Sequence, residues 1–103
     1  MKYTDIIPQT IQIGGQTIEI RLDEDIEGGV LGESVVAAGL IKIAKRSKGY
    51  EQSDTSKFNT FVHECTHAIL DTMGRTDLSQ DETFVCSFSG FATELIKSII
   101  DKR

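Results

Sequence analysis

The sequence predicts an α+β fold, in which a small twisted, largely antiparallel sheet of three to four strands packs on two helices. The first half of the chain alternates apolar and polar residues as half-buried strands do, whereas the second half repeats apolar residues at helical spacing. With 103 residues and no repeats or linkers, the chain is expected to form a single domain over residues 1–103.

Composition and charge exclude several classes of protein. Hydrophobic residues make up 39% and charged residues 26%, which is typical of a globular domain. A net charge of −5 argues against a nucleic-acid partner, because phosphate contacts require a basic face. The longest apolar run, residues 35–41, is too short to cross a bilayer, and residues 1–5 lack the apolar stretch of a secretion signal. We therefore expect a cytoplasmic protein without a membrane partner, in which Cys65 and Cys86 remain free thiols.

The strands are expected in the first half. Residues 10–13 and 16–22 alternate apolar and polar side chains, and Gly14-Gly15 between them suits a tight turn with positive φ, so they form a hairpin. Residues 31–36 and 40–44 predict two more strands. The acidic segment 23–29 is expected to be a solvated turn, and residues 45–53 a polar connector.

Two helices are expected in the second half. The first begins with Ser53 or Asp54 as its N-cap and ends at Gly74, a left-handed C-cap. The second spans residues 81–102 approximately. Each carries an apolar stripe that is expected to be buried: Phe58, Phe61, Val62, Cys65, Ile69 and Met73 in the first, and Phe84, Val85, Phe88, Ala92, Leu95, Ile96 and Ile99 in the second.

The first helix contains an H-E-x-x-H motif at residues 63–67. Side chains four residues apart lie one above the other on a helix, so His63 and His67 can converge on one zinc ion. Glu64 lies about 100° round the helix from His63, close enough to act on a coordinated water but poorly placed to be a ligand. Cys65 points about 200° away, into the apolar side, which favours a buried thiol over a nucleophile. The alternative is a solvated helix face that merely carries two histidines and a glutamate.

The motif and its surroundings resemble the small zincin-like metallopeptidase domains that phages and other mobile elements encode. The resemblance covers roughly residues 10 to 100 and rests on His63 to Ile69, on the hairpin and strand before it, and on residues 81–85 opening a second helix. It implies a gluzincin-type site with one Zn²⁺ per chain, held by His63, His67 and Glu82, with Glu64 as general base. For a phage-encoded protein the cytoplasm would be that of the host cell.

The third ligand has competing interpretations. Ser79 to Glu82 also reads as a capping box, in which Glu82 would bond the Ser79 backbone N–H and touch no metal. Asp71 and Asp81 are other carboxylate candidates, but Asp71 shares a helix with the histidines and lies near the side of Glu64, so we do not expect it to reach the same ion easily. Cys86, one turn after Glu82, would lie close enough to support the site or to compete as a thiolate ligand.

The expected function is hydrolysis of a peptide bond in a cytoplasmic protein substrate, with residues 31–36 as the sheet edge that pairs with the substrate. Active zinc peptidases similar to thermolysin also use a further His or Tyr to stabilise the oxyanion, and here only Tyr3, Tyr50, Arg75 or nearby lysines remain for that role. The alternative is a zinc-stabilised interaction domain of the same architecture with little or no turnover.

Overall fold

The computed structural model describes residues 2–102 and has an α+β architecture. A four-stranded sheet consists of β1 (Thr10–Ile13), β2 (Gln16–Asp23), β3 (Gly32–Val35) and β4 (Leu40–Ala44), in the order β1-β2-β4-β3. The helices are α1 (Asp54–Thr72), the short α2 (Thr76–Ser79) and α3 (Glu82–Asp101). The strands and the two long helices fall where the sequence predicts them.

The sheet is mixed. β1 pairs with β2 and β3 with β4 in antiparallel fashion, but β2 and β4 are parallel neighbours, with Ile20 opposite Ile41. β4 lies between β2 and β3 in the sheet, so β3, although it comes earlier in the chain, is at the edge of the sheet. The expected edge at residues 31–36 is confirmed.

The core lies between the sheet and α1. Ile18, Ile41 and Ile43 are completely buried on the inner face of the sheet, and Ala68 of α1 packs against them. A residue as small as Ala68 lets the helix axis approach the strands closely. α1 is the helix that packs on the sheet, whereas α3 packs mainly against α1 and α2, so the sheet does not pack on two helices as expected.

Local signals fix the ends of α1. The Ser53 hydroxyl accepts a hydrogen bond from the Ser56 N–H at 3.1 Å, which settles the N-cap between the two expected residues. At the other end Gly74 has φ 78°, and the Arg75 N–H donates to the Leu70 carbonyl at 2.8 Å in a Schellman-type cap. Gly14 and Gly15 likewise have positive φ values, 58° and 81°, as the predicted hairpin turn requires.

Two segments expected to be irregular are ordered. Residues 45–53 are not a simple connector: β5 (Arg46–Ser47) and β6 (Tyr50–Glu51) form a small hairpin. Its two turn residues, Lys48 and Gly49, both have positive φ, the backbone that two-residue hairpin turns need. The segment between the two expected helices contains α2, which directs the chain back towards α1.

The apolar stripes of the two long helices are only partly buried, contrary to expectation. In α1, Ile69 and Met73 are exposed; in α3, Phe88, Leu95 and Ile99 are exposed, and Val85 alone of the predicted stripe is fully buried. α3 instead buries small polar residues, Ser89 and Thr93, against the rest of the molecule. The apolar stripe of α3 stays exposed because the rest of the protein covers only one side of this helix.

α3 is also long and apolar enough to cross a membrane by length and composition, and it is the one helix in residues 2–102 that meets this criterion. Core helices meet it as well, but only 17% of the apolar window in α3 is buried. The expected absence of a membrane partner is therefore not confirmed by the structure.

Candidate metal centre

His63 and His67 lie side by side on α1. The centroids of their rings are 5.0 Å apart, one helical turn along the axis, and both side chains are half-buried. The i, i+4 spacing in the sequence predicts this arrangement directly, because both residues fall on the same face of the helix.

Glu82 brings a carboxylate to both rings. Its Oε1 lies 3.3 Å from His67 Nε2, and its Oε2 lies 3.7 Å from His63 Nε2. Glu82 is the first residue of α3, and α2 turns the chain so that this end of α3 returns to the middle of α1. The three side chains that the resemblance implies as ligands are thus next to one another.

The capping-box interpretation of Glu82 is wrong. The N-cap of α3 is Asp81, whose Oδ1 accepts a hydrogen bond from the Phe84 N–H at 3.1 Å. The carboxylate of Asp81, the other one at this end of the helix, is therefore engaged in the helix cap. Glu82 is therefore free of any capping role and faces the histidines.

Two buried serines hold the far side of the imidazole rings. The Ser79 hydroxyl lies 3.0 Å from His67 Nδ1, and the Ser89 hydroxyl lies 3.4 Å from His63 Nδ1. A partner on Nδ1 fixes the orientation of a ring and leaves Nε2 available for a metal. The sequence pattern did not single out either residue for this role, because α2 and α3 bring them to the site through tertiary packing.

Glu64 is buried, with only 7% of its surface exposed, although it carries an ionisable carboxyl group. Burial raises its pKa to about 7, and the nearby carboxylates of Glu82 and Glu33 add to the shift. Burial also lowers the pKa of His63, an effect that His67 reinforces and Glu82 opposes. At neutral pH Glu64 therefore exchanges a proton readily while His63 is held neutral, as a ligand must be.

These side chains open into a cavity between α1 and β3. Its volume is about 400 Å³, and the two histidines, Glu64 and Glu82 line it. Asp71 lines the same cavity, so the structure brings this second carboxylate closer to the site than the sequence indicates. A second hollow of about 320 Å³ adjoins it and shares His63 and Glu64 with it.

The β3 side of the cavity is built from small residues. A Cβ added to Gly32 would lie 2.5 Å from Thr60 Cγ2 and 2.9 Å from Glu64 Cγ, so no larger residue fits without moving its neighbours. Ser34 also lines the cavity, and its hydroxyl is buried without a hydrogen-bond partner within residues 2–102. A ligand in the cavity would supply that partner.

Cys86 offers a second combination of donor atoms. His63, Glu82 and Cys86 each place one donor within 4.8 Å of the others, and Cys86 Sγ is 3.9 Å from Glu82 Oε2. Within residues 2–102 this is the set whose donor atoms all lie within 4.8 Å of one another; His67 is not part of it, although its Nε2 lies 3.3 Å from Glu82 Oε1. We favour His67, because Ser79 holds its ring in place, whereas the Cys86 side chain is exposed.

The remaining predicted residues lie elsewhere. Cys65 packs against the core, and burial raises the pKa of its thiol to about 12, which makes it inert as expected. Tyr3 donates to Asp101, Tyr50 belongs to the hairpin β5–β6, and Arg75 pairs with Asp77. None of these three lines either hollow.

The donor set fits zinc, since two imidazole nitrogens and a carboxylate are ligands that zinc accepts in open sites. Comparison with known proteins adds nothing to this geometry: no protein-family model, no curated protein and no solved structure matches the chain.

Proposed function

We propose that this protein is a zinc-dependent peptidase that hydrolyses a peptide bond of a protein substrate. The observation that carries the proposal is the position of the Glu82 carboxylate, 3.3 Å and 3.7 Å from the Nε2 atoms of the two H-E-x-x-H histidines. The buried Glu64 in the same cavity adds a proton acceptor beside these donors. A solvated helix face would have neither the carboxylate from another helix nor a buried glutamate.

The residues of the proposed site have different roles. When bound by His63, His67 and Glu82, zinc would polarise the scissile carbonyl and acidify a coordinated water. Glu64 would accept the proton that hydrolysis releases and deliver it to the leaving amine, since its buried carboxyl group lines the same cavity as the proposed ligands. Ser79 and Ser89 keep the two rings oriented through their Nδ1 atoms.

The substrate would lie along β3. This strand pairs with β4 on one side and is the edge of the sheet on the other, so its outer backbone groups are available to an extended peptide. Gly32 and Ser34 face the cavity and are too small to obstruct a bound chain. The unpartnered Ser34 hydroxyl is positioned to donate to such a ligand.

One observation favours the second candidate function, a zinc-stabilised interaction domain. Cys86 is close enough to His63 and Glu82 to close the remaining coordination position, and structural zinc sites are closed by protein ligands. A closed site would stabilise the fold without turning over a substrate.

Metal analysis combined with a cleavage assay tests the proposal. Protein purified without added metal should contain about one zinc per chain, as a three-ligand site implies, and H63A and H67A should each lose it. Glu64→Gln should keep the zinc but lower the cleavage of unfolded protein substrates by roughly 100-fold or more, since general-base catalysis contributes that much.

The outcomes separate the candidates. Full zinc content in H63A or H67A would show that the metal lies elsewhere. Normal zinc content in a wild type that cleaves no substrate, or whose cleavage E64Q leaves unchanged, would favour the interaction domain. Zinc dependence and loss of cleavage in E64Q together would establish the peptidase.

A further inference from the structure

Four large apolar side chains of α3 are exposed in one line along the helix. Phe88, Phe91, Leu95 and Ile99, here named the α3 stripe, are 54%, 73%, 64% and 55% exposed. Ile69 and Met73 of α1 are exposed beside it. Clusters of this kind are rare on monomeric proteins and indicate an interaction surface.

The α3 stripe continues into an apolar groove between α1 and α3. Two hollows of about 170 Å³ and 260 Å³ lie along this groove, and both are lined by Ile69 and Phe88. Glu82, which lines the metal cavity, and Cys86, which lines the adjoining hollow, point about 120° and 160° away from Phe88 at about 100° per residue. A partner on this surface would therefore leave the candidate metal centre open.

The spacing of the apolar residues suits another helix. Phe84, Phe88, Phe91 and Leu95 follow one another at intervals of four, three and four residues, the pattern of the seam between two packed helices. α3 has 20 residues and is thus about 30 Å long, enough for several turns of contact.

We propose that the α3 stripe pairs with the α3 stripe of a second copy of this chain, in an antiparallel, two-fold symmetric dimer. The stripe is close to self-complementary about residue 93: Phe91 of one copy lies opposite Leu95 of the other, and Phe88 lies within one residue of Ile99. Such a contact is isologous, so one surface serves both subunits and the assembly closes as a dimer.

The exposed area is sufficient for such a dimer. Large side chains present about 150–250 Å² when free, so the α3 stripe alone offers roughly 400–600 Å² per copy, and a partner helix that also covers the neighbouring Ile69 and Met73 brings the area to on the order of 600 Å² or more. Two copies then bury about 1,200 Å², which reaches the range of stable interfaces. The concentration of phenylalanine and methionine is also typical of an interface core.

Charge argues against a lipid surface as the occupant. Helices that bind membranes carry lysine and arginine on the polar face, whereas α3 has three acidic residues, Glu82, Glu94 and Asp101, against one basic residue, Lys97, and the whole chain has a net charge of −5. A membrane-spanning role would also require removing the buried Ser89 and Thr93 from their packing against the protein.

Sedimentation velocity of the purified protein, over roughly 1–200 μM, tests the dimer. The wild type should approach twice its chain mass of 11.4 kDa as the concentration rises. Phe91→Glu should raise the dimer dissociation constant by at least about 30-fold, the effect of a hot-spot residue. Because Phe91 is 73% exposed, this variant should unfold like the monomeric wild type, which circular dichroism at low concentration checks.

Tyr50→Glu is the matched control, since it places a glutamate at an aromatic residue of similar exposure, 77%, on the hairpin β5–β6. It should dimerise like the wild type. A wild type that stays monomeric throughout, or a dimer that F91E leaves intact, would overturn the proposal. Binding of the monomer to neutral or anionic phospholipid vesicles, abolished by F91E, would identify a lipid surface instead and would equally overturn it.

Discussion

Glu64 has an ionisable carboxyl group and is buried, and this burial makes the stability of the folded protein depend on pH. The pKa of this group is raised from 4.5 to about 7 in the folded protein, chiefly by burial. A raised pKa means that the folded state favours the protonated form. The stabilisation from Glu64 is therefore fully present below pH 4.5 and is lost as the pH rises through 7.

In metal-free protein, Glu64→Gln should thus increase the free energy of unfolding at pH 8 relative to the wild type, by up to roughly 3 kcal/mol. The gain should shrink towards pH 5, where Glu64 is protonated in the folded state. Urea denaturation in the presence of a chelator at the two pH values measures the difference. His63, whose pKa is lowered, is present in both proteins and cancels in this comparison.

Glu94→Gln serves as the control, because Glu94 is an exposed carboxylate on α3 outside the cavity. Its effect should be small and the same at both pH values. A gain for E64Q that does not change between pH 5 and pH 8 would contradict the protonation argument.

Single substitutions can also distinguish His67 from Cys86 as the third protein ligand of the proposed zinc site. Cys86→Ser should leave zinc affinity nearly unchanged, whereas Glu82→Ala, which removes a donor common to both sets, should weaken it at least on the order of tenfold. Competition with a chromophoric chelator measures both affinities. Cobalt substitution adds a direct readout, because a thiolate ligand would give an intense near-ultraviolet band that C86S abolishes.

At the scale of elements, the site depends on how closely β3 approaches α1. Gly32 is the point of contact, since an added Cβ would meet both Thr60 and Glu64. We expect Gly32→Ala to destabilise the protein by about 1–3 kcal/mol through overpacking and to lower cleavage by displacing Glu64. Thermal unfolding and the cleavage assay measure the two effects.

Gly90→Ala is the control with the opposite expectation. Gly90 lies within α3, and a Cβ there would meet no atom within 4 Å. Alanine is the better helix former, so this change should stabilise the protein by about 0.5–1 kcal/mol. Equal effects of the two substitutions would show that the contact of β3 with α1 is not tight.

The helices illustrate what periodicity predicts and what it does not. The 3.6-residue repeat correctly grouped Phe88, Leu95 and Ile99 on one side of α3, but it does not state whether another element covers that side. Burial depends on how α3 sits on α1, which is decided by contacts distant in sequence. The hairpin β5–β6 was missed for a different reason, because its strands have only two residues each and show no alternation.

For the whole molecule, the sheet and the site likewise combine features that the local sequence predicts with features that depend on contacts distant in sequence. The strands were predictable from local alternation, but the parallel pairing of β2 with β4 was not, since it reflects the order in which distant segments meet. His63 and His67 share a helix face and were therefore predictable from spacing. Ser34, Ser79 and Ser89 reach the site through tertiary packing and carry no local signal for it, whereas Asp71 follows His67 by four residues on the same helix.

The first residues of the described chain bridge the two long helices. Asp54, at the start of α1, accepts hydrogen bonds from the backbone N–H groups of Tyr3 and Thr4 and from the Thr4 hydroxyl, which holds the pKa of that carboxyl below its usual value. The Tyr3 hydroxyl donates to Asp101 at the end of α3, 2.7 Å away. The segment before β1 thus links the start of α1 to the end of α3.

From the contact between Tyr3 and Asp101 we predict that the order of the two halves along the chain is not essential to the fold. A circular permutant that joins residue 102 to residue 2 by about five glycine and serine residues, and opens at the exposed Lys48-Gly49 turn, would translate the helices before the sheet. We expect it to unfold cooperatively and to bind zinc as the natural order does. A permutant with helical circular dichroism but no cooperative transition would show instead that the sheet must be made first to template α1.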